Sequence, residues 1–354
     1  MRYDERSSDS ENRSGEESRI LCVILLISAV ILASGCSTTQ KTDLQRHEFA
    51  RIEMGMKVTM TLYSADPVKA RLAAKTAFDR IRTLNMILSD YEDDSELNQV
   101  RHHSGSGRWT KLSPELWTVM KRADRMSKDT EGAFDITAGP LIQLWKRARR
   151  QRALPDPAKL EEARTRTGYF FIDFDPRNRS VNLWQKGMRL DLGGIAKGYA
   201  MDEAMKVLKK EGIRSALITG GGDMVASEAP PGKPAWKIEL PSPDTNSPPQ
   251  FVRLKDAAFA TSGDRYQFVI LDGKRYSHIV DPRTAQALTD HSLVYVIAPN
   301  GMTADSLATA ASVLETDKAI TLGSKNRAEL RIRRGDEDHA AIKSSRGFGS
   351  FLWE

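Results

Sequence analysis

Cysteine is nearly absent from this sequence: its 354 residues include only Cys22 and Cys36, both near the N-terminus. The rest of the chain therefore cannot build a disulfide scaffold, a cysteine-ligated zinc site or an iron–sulfur cluster, nor use a cysteine nucleophile. A concentration of charge of one sign is also missing, because 53 basic residues face 47 acidic ones and no run of five basic residues occurs. Nucleic-acid-binding proteins usually concentrate positive charge. We therefore expect no nucleic-acid partner.

The sequence also lacks an apolar run long enough to cross a membrane. The longest uncharged apolar run, residues 20–33, has 14 residues, whereas a transmembrane helix needs about 20. The run fits the hydrophobic region of a signal peptide, and it leads into Leu-Ala-Ser-Gly-Cys36, which resembles the lipobox of bacterial lipoproteins. We predict a lipoprotein signal peptide over 1–35, lipidation of Cys36, and an extracytoplasmic protein anchored at the periplasmic face of the inner or outer membrane. An uncleaved membrane anchor is the alternative.

The rest of the chain mixes helical and strand patterns without an internal repeat or a clear interdomain linker. The spacing of apolar residues predicts helices after Pro67, after Pro114, over 197–210 and over 303–314, with Thr303 as the N-cap of the last. Alternating patterns predict strands over 54–63, 275–280 and 293–298. We expect an α+β fold, a single intertwined unit with mixed or antiparallel sheets and packed helices. The predicted parts are a polar tether over 36–46, one domain over 47–330 and a C-terminal tail over 331–354.

Two glycine-rich turns are candidate phosphate-binding sites. DLGGIAKGYA at 191–200 runs from a predicted strand through two glycines into a helix, and GGGD at 220–223 follows a buried strand. Glycines let the backbone approach a ligand closely, and both a helix N-terminus and clustered amides favour anions. The first stretch matches neither a Walker loop nor the Gly-x-Gly-x-x-Gly pattern. Taken alone, each is as well explained by an ordinary tight turn.

Three further stretches carry candidate functional side chains. Asp305 and Thr309 are four residues apart, so they share a helix face and offer an oxygen shell suited to Mg²⁺, although Asp305 would also complement the helix dipole. His278 lies in a predicted strand with Tyr276 and Val280 on the same face, and it is either a general base or a hydrogen-bonded strand histidine. Asp135 in GAFDITAGPL would either rigidify a turn or bind a polar edge of a ligand.

Together and in this order, these stretches resemble the FAD:protein FMN transferases, also called ApbE-like flavin transferases. The resemblance runs from about residue 54 to 314. It is carried by Met-Gly at 54–55, SDY at 89–91 with SELN at 95–98, GAFDITAGPL at 132–141, DLGGIAKGYAMD at 191–202, GGGD at 220–223, ATSGD at 260–264, SHIVDPRT at 277–284 and ADSLATA at 304–310.

The resemblance implies an activity and a set of site residues. Members of this family take FAD as substrate, use Mg²⁺, and transfer the FMN moiety to a Thr or Ser hydroxyl of an acceptor protein through a phosphodiester, releasing AMP. Their acceptors resemble quinone reductase and Rnf-type subunits with an Asp-x-x-Thr/Ser-Gly-x-Thr/Ser motif. By resemblance, Asp305, Thr309 and the backbone carbonyl of Ala196 are the metal ligands, and His278 is the base that acts with Asp305 in catalysis. The implied FAD contacts are Met54, Tyr91, Asp135, Lys197, Gly221, Gly222, Ser262 and Ile279.

The sequence departs from the family pattern at three positions. Met56 replaces a Thr, Ala285 replaces the Gly after DPRT, and Ala287 replaces a nearby Pro. If the turn after Thr284 requires a positive φ, Ala285 strains it. Two alternative functions remain open: a Mg²⁺-dependent FAD pyrophosphatase that yields FMN and AMP, and a non-catalytic FAD-binding lipoprotein. The presence of both Asp305 and His278 favours an enzyme.

Overall fold

The largest sheet among the described residues has eight strands, each antiparallel to its neighbours. The structure, a computed structural model, describes residues 43–241, 248–263, 267–335 and 340–353. In spatial order the sheet contains β1 (Gln45–Glu53), β2 (Met56–Ser64), β6 (Ala216–Gly220), β7 (Asp223–Ala226), β10 (Ala257–Gly263), β15 (Ser292–Ala298), β16 (Glu329–Arg334) and β17 (Ala341–Ser344).

The described residues also form smaller sheets. A three-stranded antiparallel sheet places β5 (Ser180–Leu183) between β3 (Thr110–Lys111) and β4 (Ile172–Asp175). Three hairpins complete the β structure: β8 (Trp236–Leu240) with β9 (Gln250–Leu254), β11 (Phe268–Leu271) with β12 (Lys274–Ser277), and β13 (Val280–Asp281) with β14 (Gln286–Ala287).

Within the described ranges there are eight α-helices. They are α1 (Pro67–Leu88), α2 (Glu96–His102), α3 (Pro114–Asp129), α4 (Gly139–Gln151), α5 (Pro157–Arg164), α6 (Ala196–Lys210), α7 (Gly301–Val313) and α8 (Thr316–Lys325). The predicted starts at Pro67 and Pro114 are confirmed, since Asp66 and Ser113 accept hydrogen bonds from the first-turn amides. The predicted N-cap Thr303 is wrong: Asn300 caps α7, and its side chain accepts from Thr303 N at 2.9 Å.

Apolar side chains cover both faces of the central strands. Along β15, Val294 and Val296 face the main core with helices α1, α6 and α7, whereas Tyr295 and Ile297 face a second core formed with the β8–β9 hairpin. This division follows from the strand geometry, because successive side chains point to opposite faces. The mixed helix and antiparallel-strand fold predicted from the sequence is confirmed.

The structure differs from the predicted domain boundaries at both ends. The first described strand, β1, begins at Gln45, inside the predicted tether, and the described residues from 44 onwards form one compact unit. At the other end, β16 crosses residue 330 and pairs with β15, and Phe348 is fully buried, so the described part of the predicted tail belongs to the fold. The predicted signal peptide and Cys36 lie outside the described residues. Among the helices that the structure describes, none combines the length and the apolarity needed to cross a membrane.

Candidate active site

One cavity of about 610 Å³ brings together most of the predicted site residues. It is lined by the approach to α6, the β6–β7 turn, the end of β10, the segment after β12 and one face of α7. The predicted residues in its lining are Tyr91, Asp135, Lys197, Gly221, Gly222, Ser262, His278, Ile279, Asp305 and Thr309. Met54 and Ala196 are not part of the lining.

The positions of these two residues follow from the local backbone. Met54 and Gly55 form the two-residue turn between β1 and β2, with φ of 50° and 72°, as a type I′ hairpin turn requires. The predicted strand over 54–63 therefore starts only at Met56. Ala196 is the first residue of α6, directly before Lys197, and is 4% exposed.

Helices α6 and α7 approach each other closely at two glycines. A Cβ on Gly198 would clash with Gly301 O, and a Cβ on Gly301 would lie 2.5 Å from Gly198 O. Asp202 completes the crossing, because its carboxylate accepts from Gly301 N at 2.7 Å and from Met302 N at 2.9 Å. Burial raises the pKa of Asp202 to about 6 although both amides favour its charged form. The close approach allows Gly198 N to donate to Asp305 Oδ2 at 3.1 Å.

Lys197 bridges two buried carboxylates in the cavity wall. Its Nζ lies 2.9 Å from Asp305 Oδ1 and 3.0 Å from Asp223 Oδ2, and both aspartate side chains are 5% exposed. Burial raises the pKa of Asp223 to about 7; Lys197 opposes this rise and Asp305 adds to it. Burial also disfavours the charge on Lys197, but the two carboxylates outweigh that cost and hold the Lys197 pKa above its ordinary value. The wall thus presents two acids that share one ammonium group.

The oxygen donors next to this lysine suit a hard divalent cation. Gly194 approaches α7 so closely that a Cβ there would lie 2.8 Å from Thr309 Oγ1, which is one helical turn from Asp305. In the described part of the chain, no group of three or more His, Cys, Asp or Glu side chains is arranged to hold a metal ion. A cation bound at Asp305 and Thr309 would therefore complete its shell with backbone, water or substrate oxygens. Mg²⁺ is commonly bound in this way.

His278 lines the cavity from a break between two short strands. Its backbone N–H donates to Gln267 O at 2.8 Å, and Ile279 N donates to Ser277 Oγ at 3.1 Å. The predicted continuous strand over 275–280 is therefore wrong: β12 ends at Ser277 and β13 starts at Val280. The simple alternation that placed Tyr276, His278 and Val280 on one face does not apply across this break.

The turn that follows His278 carries the strain that the sequence suggested. Ala285 has a φ of 61°, a region that glycine adopts more easily than alanine. Its carbonyl accepts a hydrogen bond from Trp145 Nε1 at 3.0 Å, and Trp145 stacks on Tyr276 with ring centroids 5.2 Å apart. The backbone is thus fixed to α4, which holds the β13–β14 hairpin beside the cavity.

Asp135 organises the backbone beside the cavity. Its Oδ1 accepts from Thr137 N at 2.8 Å and Thr137 Oγ1 at 2.7 Å, and its Oδ2 accepts from Tyr169 N at 2.8 Å. Burial raises the pKa of Asp135 to about 6 against the effect of these three donors. Of the two interpretations left open by the sequence, the contacts support the rigid turn, and they still leave Asp135 at the cavity surface.

Sequence analysis missed three residues that shape this site. Asp202 and Asp223 stand in stretches that were recognised, DLGGIAKGYAMD and GGGD, but only the glycines of the second were singled out there. Lys146 lies on α4; it donates to Tyr91 OH at 2.7 Å and pairs with Asp191 Oδ2 at 3.4 Å. Its signal was weak, because a lysine in a basic helix ordinarily faces solvent.

Comparison with known proteins places the site in a family. Residues 54–332 match the model of the ApbE family. This range covers most of the chain and includes every residue that lines the cavity. The chain belongs to the ApbE family. The resemblance inferred from the sequence motifs is therefore confirmed.

Relatives and solved structures agree with this membership. The chain is 29% identical over 335 residues to the FAD:protein FMN transferase of Vibrio cholerae, covering 93% of this chain and 98% of that protein. It is 31% identical to the protein of the same name from Treponema pallidum, covering 82% and 85%. The structure of flavin transferase ApbE from Vibrio cholerae superposes with a TM-score of 0.78 at 27% identity, over 87% of this chain and all of that chain. The ApbE protein of Thermotoga maritima gives a TM-score of 0.78 at 30% identity, over 88% and 100%.

Proposed function

We propose that this protein is a FAD:protein FMN transferase, which moves the FMN moiety of FAD to a Thr or Ser hydroxyl of an acceptor protein and releases AMP. The observation that carries the proposal is the composition of this cavity. It joins two glycine turns, an oxygen-donor pair on α7 and a histidine, all from stretches shared with a family whose curated relatives carry this name. Each group has a place in a phosphoryl transfer reaction.

The glycine turns are suited to the diphosphate of FAD. Gly193 and Gly194 lie immediately before the N-terminus of α6, and Gly221 and Gly222 both have positive φ in the β6–β7 turn. A Cβ on Gly222 would lie 2.6 Å from Thr261 Oγ1, so a larger residue does not fit. Backbone amides at a helix N-terminus and in glycine turns bind phosphate oxygens well. The Lys197 ammonium at the same wall offsets part of the negative charge of Asp223 and Asp305, which would otherwise repel the diphosphate.

Asp305 and Thr309 fit a Mg²⁺ ion, and we assign them as its side-chain ligands, with the backbone carbonyl of Ala196 as a third. When bound, the ion neutralises negative charge on the phosphate oxygens. The hydrogen bond from Gly198 N holds the Asp305 carboxylate in one orientation, and the Asp202 cap fixes the start of α7 that carries it. The chain therefore positions its ligands through backbone contacts, in a helix that cannot shift without breaking them.

His278 is proposed to take the proton from the acceptor hydroxyl. The hydroxyl oxygen forms a bond to the FMN phosphorus, and the bond from that phosphorus to the bridging oxygen breaks, so AMP leaves with the bridging oxygen. A neutral Thr or Ser hydroxyl is a weak nucleophile, and removal of its proton by a positioned base accelerates such steps by about 10²–10⁴-fold. Tyr91, Asp135, Ser262 and Ile279, which line the cavity, are assigned to FAD binding. Met54 lies outside this lining and is assigned to FAD binding on the family resemblance alone.

The proposed location is the extracytoplasmic side of a bacterial membrane, with the chain attached through lipid on Cys36. The support is the apolar run at 20–33 and the small residues before the cysteine. Acceptors would then be membrane or extracytoplasmic redox subunits. Labelling with a radioactive fatty acid tests this, since replacing Cys36 with Ser should abolish the label.

A transfer assay tests the function. Residues 37–354 are mixed with FAD, MgCl₂ and an acceptor domain that carries the Asp-x-x-Thr-Gly-x-Thr sequence, and flavin fluorescence is read on the acceptor band of a denaturing gel. We expect a fluorescent band that EDTA abolishes. Asp305→Ala should remove Mg²⁺-dependent transfer while weakening FAD binding only slightly. The exposed Asp317→Ala on α8 is the matched control and should retain transfer.

The same assay separates the alternatives. A dark acceptor band with AMP in solution would indicate a FAD pyrophosphatase, in which water replaces the acceptor hydroxyl. A dark band with intact FAD that stays bound to the protein would indicate a binding protein. Either result would contradict the proposed function.

A further inference from the structure

We propose that a groove at the mouth of the cavity binds an acidic segment of the acceptor protein. This inference rests on the proposed function, because it assigns the place where the acceptor chain enters. The entry groove has a volume of about 430 Å³ and is lined by Tyr91, Lys146, Arg149, Arg150, Gln267 and Phe268. The first three of these and Gln267 also line the cavity, so groove and cavity are continuous.

Helix α4 makes the entry groove strongly positive. It carries Lys146, Arg147, Arg149 and Arg150 and contains no acidic residue. Lys146 is paired with Asp191, but no carboxylate in the described ranges lies within ion-pair distance of Arg149 or Arg150. Burial lowers the pKa of Arg149, so its charge is held at a cost that a carboxylate of a bound partner would offset.

Both aromatic residues of the entry groove lie next to a cationic side chain. Tyr91 is 73% exposed, and the Lys146 ammonium lies 4.7 Å from its ring centroid. Phe268 is 39% exposed, and the Arg275 guanidinium lies 3.4 Å from its ring centroid. Each exposed ring thus has a cation next to it, and the groove suits an anionic ligand better than a purely apolar one.

The continuity with the cavity favours a protein segment as the occupant. The acceptor hydroxyl must enter the cavity, while the chain on at least one side of it stays outside. An extended chain advances about 3.3 Å per residue, so several residues next to the modified Thr or Ser must lie in the mouth. Carboxylates among them would meet Arg149 and Arg150.

The test compares two charge reversals on one helix. Arg150→Glu changes the entry groove, and Arg147→Glu makes the same change at an exposed position of α4 outside the groove lining. The acceptors are three versions of one carrier domain with the Thr motif, flanked by four Glu, four Gln or four Lys residues. We expect Arg150→Glu to raise the KM for the Glu-flanked acceptor about 3- to 30-fold at low salt, with kcat unchanged. Arg147→Glu should leave this KM within twofold of the wild-type value. For the Lys-flanked acceptor, Arg150→Glu should instead have a lower KM than the wild type.

A binding measurement separates this inference from the proposed function. Fluorescence anisotropy of the labelled Glu-flanked carrier, with its motif Thr replaced by Ala, reports docking without transfer. If the wild-type protein transfers no FMN but Arg150→Glu still weakens binding, the function fails and the groove stands. Equal KM and Kd values in the two variants would overturn the groove. The two variants are also tested for binding to phosphatidylglycerol vesicles. If Arg150→Glu weakens binding to the vesicles but not to the carrier, the entry groove faces lipid and the inference is overturned.

Discussion

Lys197 is the side chain whose removal tests the electrostatics of the cavity most directly. Its ammonium is shared by Asp223 and Asp305 at 3.0 and 2.9 Å, and each carboxylate is 5% exposed. Removing one partner of a fully buried ion pair costs about 3–5 kcal/mol. Because 27% of the Lys197 side chain is exposed, solvent screens part of this interaction. We expect Lys197→Met to lower the free energy of unfolding by about 2–3 kcal/mol at pH 8.

The loss should depend on pH in a defined direction. Burial raises the pKa of Asp223 to about 7 in the folded protein, above its ordinary 3.8, even with Lys197 in place. A raised folded pKa means that ionisation of Asp223 costs stability as the pH rises towards and past 7. Without the Lys197 ammonium the pKa of Asp223 rises further, so Asp223 is neutral in Lys197→Met at pH 5.5. The deficit should therefore be clearly smaller at pH 5.5 than at pH 8.

Urea unfolding followed by tryptophan fluorescence measures this, with and without MgCl₂. A divalent cation bound beside Asp305 would replace part of the missing positive charge, so Mg²⁺ should stabilise Lys197→Met more than the wild type. Lys75→Met is the control, because Lys75 pairs with Asp79 at 2.7 Å with 62% and 40% of the two side chains exposed. Its loss should be much smaller. Similar losses in both variants, or a Lys197→Met deficit that is equal at both pH values, would refute the reasoning.

Three further predictions concern single side chains. His278→Ala should slow FMN transfer about 10²–10⁴-fold without changing the Kd for FAD, and an unchanged rate would exclude His278 as the base. Burial raises the pKa of Asp202 to about 6, so ionisation of Asp202 lowers the stability of the wild type as the pH rises. From pH 4.5 to pH 7.5 the free energy of unfolding in urea should therefore fall more in the wild type than in Asp202→Asn, and equal changes in the two proteins would contradict this. Ala285→Gly should change the free energy of unfolding by less than about 1 kcal/mol in thermal unfolding. Glycine relieves the strain of the positive φ, but the variant loses a buried methyl group and gains chain entropy in the unfolded state. A loss above about 2 kcal/mol would show that no strain is relieved.

The parts of the fold that local signals specify could be predicted from the sequence. Asp66-Pro67 and Ser113-Pro114 combine a capping side chain with a proline at the first helical position, and each starts a helix. Strand β1 could not be predicted, since its sequence QRHEFARIE is mostly polar and only its last residue is buried. It exists because β2 offers a full register of backbone partners, and its polar side chains suit an edge strand.

In the candidate site, too, local features could be predicted from the sequence and long-range contacts could not. The motifs located its backbone, since the glycine turns and α7 are local features with recognisable composition. The ion pairs of the site could not be predicted from the sequence. Lys197 and Asp305 are 108 residues apart, and they meet only because Gly198 allows α6 and α7 to pack closely. A lysine beside two glycines suggests a phosphate contact, whereas the same lysine between two buried acids is also their counter-ion. The second role follows from the crossing of α6 and α7 together with the β6–β7 turn, which brings Asp223 to the same lysine. It makes the stability of the fold and the chemistry of the cavity depend on the same three side chains.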